Sequence, residues 1–312
     1  MNILLTGGAG FIGSHVGDLL IEHDHQVTIV DDLSAGRRSN LPPGCDFYEM
    51  DIRSKEINSL WQEKQFDTLV HLAAQMDVRK SVEDPLFDSD VNIRGSLNLM
   101  EAGKDNGLKR VVFTSTGGAG YDDNVTFPTP ESTPAKPISP YGIAKISFEL
   151  YLRYYERQYG IQNIALRLAN VYGPRQNPFG EAGVVAIFAQ RLLADNDIII
   201  NGDGLQTRDY VFCQDIAKAI HLALAYEDNG FFNIGTSIET SVVEIFQLIR
   251  QATGSDAGEL HGPEQSGEVR RSALDVALAE KELGWKPVVT LQEGIRETIE
   301  YFRQLQIDPD KR

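Results

Sequence analysis

The sequence predicts an α/β protein: a doubly wound parallel (Rossmann) sheet followed by a smaller, loop-rich α/β lobe. Three observations carry this. Short apolar runs alternate with longer amphipathic segments through the first half of the 312 residues. A glycine-rich turn follows the first of those runs directly. After about Val171 the alternation weakens into segments rich in Gly, Pro and Asn. Residues 1–171 therefore read as a nucleotide-binding unit. Residues 172–312 read mainly as a substrate lobe, with some segments returning to the first unit.

The elements follow in order. Asn2–Thr6, Gln26–Val30, Asp46–Met50, Thr68–His71, Arg110–Thr114 and Asn163–Leu168 are apolar enough for strands buried on both faces. Phe11–His23, Ser54–Lys64, Val91–Asn106 and Pro140–Tyr159 have helical apolar spacing. Repeated strand–helix–strand units place ligands at the carboxyl ends of the strands. Later, Gly183–Ala194 and Val242–Ala252 read as helices and Ile198–Ile200 as a strand, set among the loops Tyr172–Gly183, Asn201–Thr207 and Gly254–Gly267. Asp308–Arg312 reads as a frayed tail.

Bulk composition narrows the function. A net charge of −16 argues against nucleic acid or an anionic membrane as partner. Cys45 and Cys213 stand far apart with no ligand spacing, so a reduced compartment and no structural metal are expected. The first residues are not those of a signal peptide, and no apolar stretch approaches a membrane span, so a cytoplasmic protein is expected.

Thr6-Gly7-Gly8-Ala9-Gly10-Phe11-Ile12-Gly13 lies between a strand and a helix, the context that gives a dinucleotide fingerprint meaning. Its glycines, notably Gly7, Gly10 and Gly13, allow a tight turn, and with Phe11 and Ile12 they place a helix N-terminus against a pyrophosphate. Asp31 ends the second strand, placed to accept from ribose hydroxyls. With Asp32 it puts two carboxylates where a 2′-phosphate would sit, so NAD is expected over NADP; Arg37 and Arg38 follow close behind. Asp51 and Ile52, at the end of the third strand, face either the adenine or, for Asp51, a helix cap before Ser54. His71-Leu72-Ala73-Ala74 ends the fourth strand. The small Ala73 and Ala74, with Leu72, let a cofactor lie against the backbone, and His71 reads as a packed structural histidine.

Ser139-Pro140-Tyr141-Gly142-Ile143-Ala144-Lys145 is the most informative segment. Ser139 is a good N-cap and Pro140 a good first helical residue. Tyr141 and Lys145, at i and i+4, then share one helix face. The ammonium can lower the pKa of the phenol and make it a usable base. A hydroxyl-rich segment, Thr114-Ser115-Thr116, precedes the pair. Fingerprint, hydroxyls and Tyr-x-x-x-Lys in this order read as hydride chemistry on an alcohol.

These residues resemble the extended short-chain dehydrogenase/reductase family and, within it, NAD-dependent nucleotide-sugar epimerases of the UDP-glucose 4-epimerase type. The resemblance covers nearly the whole chain: TGGAGFIGSH (6–15), DDLSAGRRSNL (31–41), HLAA (71–74), STGGAGY (115–121), PYGIAK (140–145), LRLANVYGPRQ (166–176), GDGLQTRDYV (202–211) and GEVRRSALD (267–275). It implies that Thr116 hydrogen-bonds the sugar O4, that Tyr141 is the base and that Lys145 activates it and holds the nicotinamide ribose. Asp31, Asp32, Ser34, Gly36, Asn92 and Ser115 fall on its cofactor-binding positions. Asn170 and Arg208 fall on its diphosphate-binding positions; as plain residues they read as a turn residue and as a partner for Asp209. A homodimer through the helices at Val91–Asn106 and Pro140–Tyr159 is also implied.

Two positions depart from the family pattern. Ala169 stands where an aromatic residue often precedes the Asn, and Gln265 stands where an Arg often precedes the Gly267 motif, leaving Arg271 as the candidate for that phosphate contact. Ser272, five residues after Gly267, matches a position beside the sugar where a small residue admits an N-acetyl group; otherwise it is a surface Ser. The expected activity is 4-epimerisation of a UDP-hexose. Rivals are a 4,6-dehydratase, decarboxylase or 4-keto reductase on the same scaffold, or a non-catalytic NAD-binding scaffold or redox sensor. The related eliminating enzymes place a carboxylate right after the catalytic Ser/Thr, whereas here Gly117-Gly118 follow Thr116.

Overall fold

Ile3, Leu4 and Leu5 are fully buried, and they point alternately into two different cores. Ile3 and Leu5 join Val70, Val112 and Ile164 on one face of a sheet, while Leu4 joins Leu69, Val111 and Phe113 on the other. That is why these strands are apolar at every position. Each such side chain stabilises the fold by about 1.5–3 kcal/mol relative to exposure. The computed structural model describes residues 1–122, 124–179, 183–264 and 269–307. The tail Asp308–Arg312 and the departure at Gln265 lie outside them.

In chain order the first part holds β1 (Asn2–Thr6), α1 (Phe11–Glu22), β2 (Gln26–Asp31), β3 (Asp46–Glu49), α2 (Glu56–Lys64), β4 (Thr68–His71), α3 (Val78–Glu83), α4 (Pro85–Ser89), α5 (Ser96–Lys104), β5 (Arg110–Thr116), α6 (Pro140–Tyr159) and β6 (Gln162–Leu168). The helix read from the sequence as Val91–Asn106 begins instead with a wide π-type turn, Asp90–Gly95, that runs into α5. The second part holds β7 (Asn170–Tyr172), α7 (Val184–Leu193), β8 (Ile198–Asn201), β9 (Thr207–Arg208), β10 (Tyr210–Phe212), α8 (Cys213–Ala225), β11 (Gly230–Ile234), β12 (Thr240–Ser241), α9 (Val242–Thr253), β13 (Glu259–Gly262), α10 (Ala277–Leu283) and α11 (Leu291–Ile307).

The central sheet has seven strands in the order β11-β6-β5-β4-β1-β2-β3, every neighbouring pair parallel. Strand order reverses between β1 and β4, and at such a switch point the carboxyl ends open a crevice for a ligand. In register there, Thr6 lies opposite Val30 and His71, and Thr116 opposite Leu168. β11 comes from the second part of the chain, and α8 packs on α1, so that part closes one side of the sheet. α7, α9 and α11 bury a third core with Tyr172, Phe188, Phe212, Phe246 and Ile299. No helix of the described residues is long and apolar enough to cross a membrane.

Candidate active site

The turn between β1 and α1 is shaped by what its glycines leave out. Gly7 has φ +74°, and its N–H donates to Val30 O at 2.9 Å. A β-carbon on Gly13 would stand 2.0 Å from Gly7 O, so the helix and the turn touch backbone to backbone. Gly10 is the N-cap of α1 and offers no side-chain cap, which leaves the first helical N–H groups to a ligand. This cradle fits a dinucleotide. Phe11 and Ile12 open the helix half-buried, and Leu72, Ala73 and Ala74 are half-buried at the end of β4.

Asp31 is 7% exposed, and its two carboxylate oxygens accept from Ala9 N (3.0 Å) and Leu33 N (2.9 Å). Burial raises its pKa; those two amides and the neighbouring Asp32 charge modify the shift. Gly36 packs over it, since a β-carbon there would lie 2.8 Å from Asp31 Oδ1. Asp32 is exposed and takes the Ser34 amide at 2.9 Å and its hydroxyl at 2.5 Å. Two carboxylates at this strand end oppose a 2′-phosphate. The protein is therefore expected to bind NAD at least about tenfold more tightly than NADP. A titration favouring NADP would overturn this reading of the strand end.

Asp51 does not cap a helix. Its carboxylate holds the Arg53 guanidinium through Nε (3.0 Å) and Nη2 (2.5 Å), which keeps its pKa low; the N-cap of α2 is Lys55, and Ser54 Oγ accepts from Glu56 N at 3.1 Å. Ile52 is buried, and its carbonyl accepts from Asn98 Nδ2 at 2.7 Å.

Tyr141 and Lys145 sit in the first turns of α6. Ser139 caps it by accepting from Gly142 N at 3.2 Å, and Pro140 occupies the first turn, as the sequence predicts. Tyr141 is half-buried, and Lys145 Nζ lies 5.9 Å from its ring centroid. Lys145 is 4% exposed, donates to Thr114 O at 2.9 Å and stands 4.7 Å over the Phe113 ring. Burial pulls its pKa down to about 7, and Asp88 pushes it up. Thr116 ends β5, buried, and its hydroxyl accepts from Ala119 N at 3.1 Å. Ser115 points to the opposite side of the strand, and its hydroxyl donates to Glu149.

His71 is packed, not exposed to chemistry. It is fully buried between Thr6 Oγ1 (2.7 Å at Nδ1) and Ser96 Oγ (2.8 Å at Nε2). Ser96 itself donates to Asn92 O, so it accepts from the ring, and the imidazole carries its proton on Nε2. Burial first, then the Lys145 charge, lowers the pKa of His71 to about 3 and keeps the ring neutral. Asn92 is buried and clamps Gln75: its Oδ1 takes Gln75 N and its Nδ2 donates to Gln75 O, both at 2.9 Å.

The second part of the chain brings Arg208, Arg271 and Ser272 side by side. β9 pairs antiparallel with β12, and Ser272 N donates to Thr207 O at 3.2 Å. Arg208 does not pair with Asp209. Asp209 is 1% exposed and already accepts from Thr236 N, Thr236 Oγ1, Ser237 N and Leu274 N. Among the described residues no carboxylate lies within ion-pair distance of Arg208, whose guanidinium donates only to Thr207 O at 2.8 Å. Arg271 is exposed and bound to Glu239 at 2.5 and 2.9 Å, so a phosphate would have to compete for it. Ser272 is 9% exposed and thus no surface serine. Asn170 is exposed, its amide tied to Asp209 O at 2.9 Å and its Oδ1 3.8 Å from where a Gly118 β-carbon would be.

Sequence reasoning missed the buried ion pair Arg167–Glu149 (2.6 Å), which with Tyr121 and Asn233 ties β6, α6 and β11 together beneath the site. It also missed the buried carboxyl of Asp88.

A glycine cradle at the switch point of a parallel sheet, with a Tyr–Lys pair beside it, defines a dinucleotide-dependent enzyme fold. Residues 3–235 match the model of the NAD dependent epimerase/dehydratase family, and the chain belongs to that family. It is similar to the crystal structure of UDP-glucose 4-epimerase with UDP-glucose from Thermotoga maritima (49% identical, TM-score 0.97, covering 98% of this chain and 100% of that one). It is also similar to the Thermus thermophilus UDP-glucose 4-epimerase complex with NAD (41% identical, TM-score 0.91, covering 97% and 99%). The UDP-glucose 4-epimerase of Mycolicibacterium smegmatis is 44% identical over 310 residues, 97% of this chain and 99% of that one.

Proposed function

We propose that this chain is an NAD-dependent 4-epimerase of UDP-hexoses that interconverts UDP-glucose and UDP-galactose. The observation that carries this reading is the Tyr141–Lys145 pair, set beside the glycine cradle in a chain that aligns end to end with UDP-glucose 4-epimerases. NAD, when bound, would supply the redox chemistry as a reversible hydride acceptor for C4 of the sugar. Tyr141 as phenolate takes the O4 proton, and the Thr116 hydroxyl hydrogen-bonds the same oxygen. Lys145 holds positive charge beside the phenol. Arg208, with no carboxylate claiming it, binds the diphosphate with Asn170. The 4-keto sugar then turns over about a fixed anchor, and Tyr141 returns the proton. No net oxidation results.

Within this reading Gly7, Gly10, Phe11, Ile12, Gly13, Asp31, Asp32, Ser34, Gly36, Asp51, Ile52, Leu72, Ala73, Ala74 and Asn92 form the cofactor site, and Ser115, its hydroxyl turned to Glu149, adds only backbone. The lobe after residue 171 forms most of the substrate site. Elimination is disfavoured for want of an acid: at Gly117 a β-carbon would already lie 2.4 Å from Leu274 Cδ1. The protein acts as a cytoplasmic homodimer. Its dimer face is supported by α6, where Ile143, Leu150, Tyr151 and Tyr154 are exposed at helical spacing. Incubation with UDP-galactose tests the whole reading: UDP-glucose should form without net NADH. Net NADH consumption would indicate a reductase, and no turnover a binding protein.

Ser272, small and buried next to β9, sets the breadth of substrate by leaving room for an N-acetyl group at C2. Ser272→Tyr should lower turnover of UDP-N-acetylgalactosamine at least about tenfold relative to UDP-galactose. Equal effects on both sugars, or none, would remove Ser272 from the site.

A further inference from the structure

The chemistry above leaves the buried carboxyl of Asp88 unused. It sits on α4, 1% exposed, and α4 packs on α6, the helix of Tyr141 and Lys145. Its Oδ1 is gripped by Gln75 Nε2 at 3.0 Å and Asn92 Nδ2 at 2.9 Å. Gln75 is held in turn by the Asn92 amide clamp, and its Nε2 also donates to Asp77 O at 2.9 Å. Asp88 Oδ2 is buried and has no hydrogen-bond partner among the described residues. A buried acceptor left unmade is costly, and a buried charge more so, unless something repays it.

Lys145 is the group that can. Its Nζ meets the Thr114 carbonyl and the Phe113 ring face, neither of them an anion. From β4 it faces His71, which is neutral, and from its own helix Tyr141. From α4 it feels the carboxyl of Asp88; burial raises the pKa of that carboxyl, while the Gln75 and Asn92 hydrogen bonds and then the Lys145 ammonium favour its charged form. Each of the two is almost wholly removed from water.

We propose that Asp88 is a positioning residue for Lys145: its carboxylate supplies the negative charge that keeps the Lys145 side chain an ammonium in a dry site, and through it keeps Tyr141 ready to lose its proton. This rests on the reading of Tyr141 as the acid/base group. The orphaned Oδ2 follows from the role, because an oxygen fully bonded to backbone donors would spend its charge locally. The Gln75–Asn92 clamp holds the carboxyl in place from the far side.

The sign of the effect is fixed. Removing a negative charge weakens proton binding by Lys145, so its ammonium is lost at lower pH and the alkaline limb of kcat moves down. Asp88→Asn keeps size and an acceptor for the clamp. In the full-length, NAD-loaded protein it should move that limb down by about one pH unit or more. KM for UDP-galactose should stay within about twofold and NAD content should be unchanged. Asp88→Ser removes the carboxylate and leaves room for water; it carries the same expectation should Asp88→Asn not fold. A merely structural role would lower the melting temperature and depress kcat equally at all pH. That outcome, or an unshifted limb in either folded variant, overturns the proposal. Tyr141→Phe, measured alongside, separates the two readings. If it retains activity, the acid/base assignment itself fails; if it is inactive while the Asp88 variants keep the native profile, only the role of Asp88 falls.

Discussion

Tyr141→Phe is expected to reduce kcat by at least about 10²–10⁴-fold while the protein folds and holds NAD as before. The ring stays half-buried in the first turn of α6, and the cap of that turn, Ser139 Oγ to Gly142 N, is untouched. What is lost is the oxygen that, in the proposed mechanism, exchanges a proton with O4. The neighbouring Lys145 is the charge beside the phenol and not the proton acceptor, its Nζ donating to Thr114 O and lying over the Phe113 ring. Thr116→Val removes a hydrogen bond and not a proton acceptor, so its loss should be smaller. A Tyr141→Phe protein with most of its activity would remove the base from the mechanism.

Gly13→Ala is expected to weaken NAD binding at least about tenfold and to lower the melting temperature, at an overpacking cost of about 1–3 kcal/mol. The added carbon would stand 2.0 Å from Gly7 O, 2.8 Å from Gly7 C and 2.9 Å from Gly8 Cα. These are backbone atoms, and no side-chain rotation relieves the overlap. The turn must open, and the N-terminus of α1 moves away from the place proposed for the pyrophosphate. Gly230→Ala is the control: the nearest atom there is the Phe232 ring at 3.5 Å, an ordinary contact. Normal NAD content and melting in Gly13→Ala would mean that the cradle is not where the cofactor lies.

The parallel strands of the first half were legible because burial on both faces demands apolar residues at every position. Ile3-Leu4-Leu5 and Val111-Val112-Phe113 leave no other reading beside a glycine turn. The start of α6 was legible because capping is a local matter. What escaped is what tertiary packing decides. β11 is five residues long, and only its pairing with β6 makes Phe231-Phe232-Asn233-Ile234 a sheet strand. α8 did carry a signal, Ile216, Ala217, Ile220, Ala223 and Leu224 at helical spacing, and that stripe packs against α1. The plainer alternative for Arg208, a pair with its neighbour Asp209, could be set aside only with the fold in hand, since four donors from other parts of the chain saturate that carboxylate. Asp88 lies in Phe87-Asp88-Ser89-Asp90, which reads as a solvated helix edge. Its burial depends on Gln75, thirteen residues earlier and beyond a strand end.

In the proposed reaction one enzyme oxidises and re-reduces the same carbon within a single binding event. UDP-galactose carrying deuterium at C4 tests it most directly, with the product analysed for position and content of the label. The expected product is UDP-glucose with deuterium still at C4, with no hydrogen from solvent at that carbon and no NADH accumulating in solution. Loss of the label to solvent, or label appearing in free NADH, would contradict it.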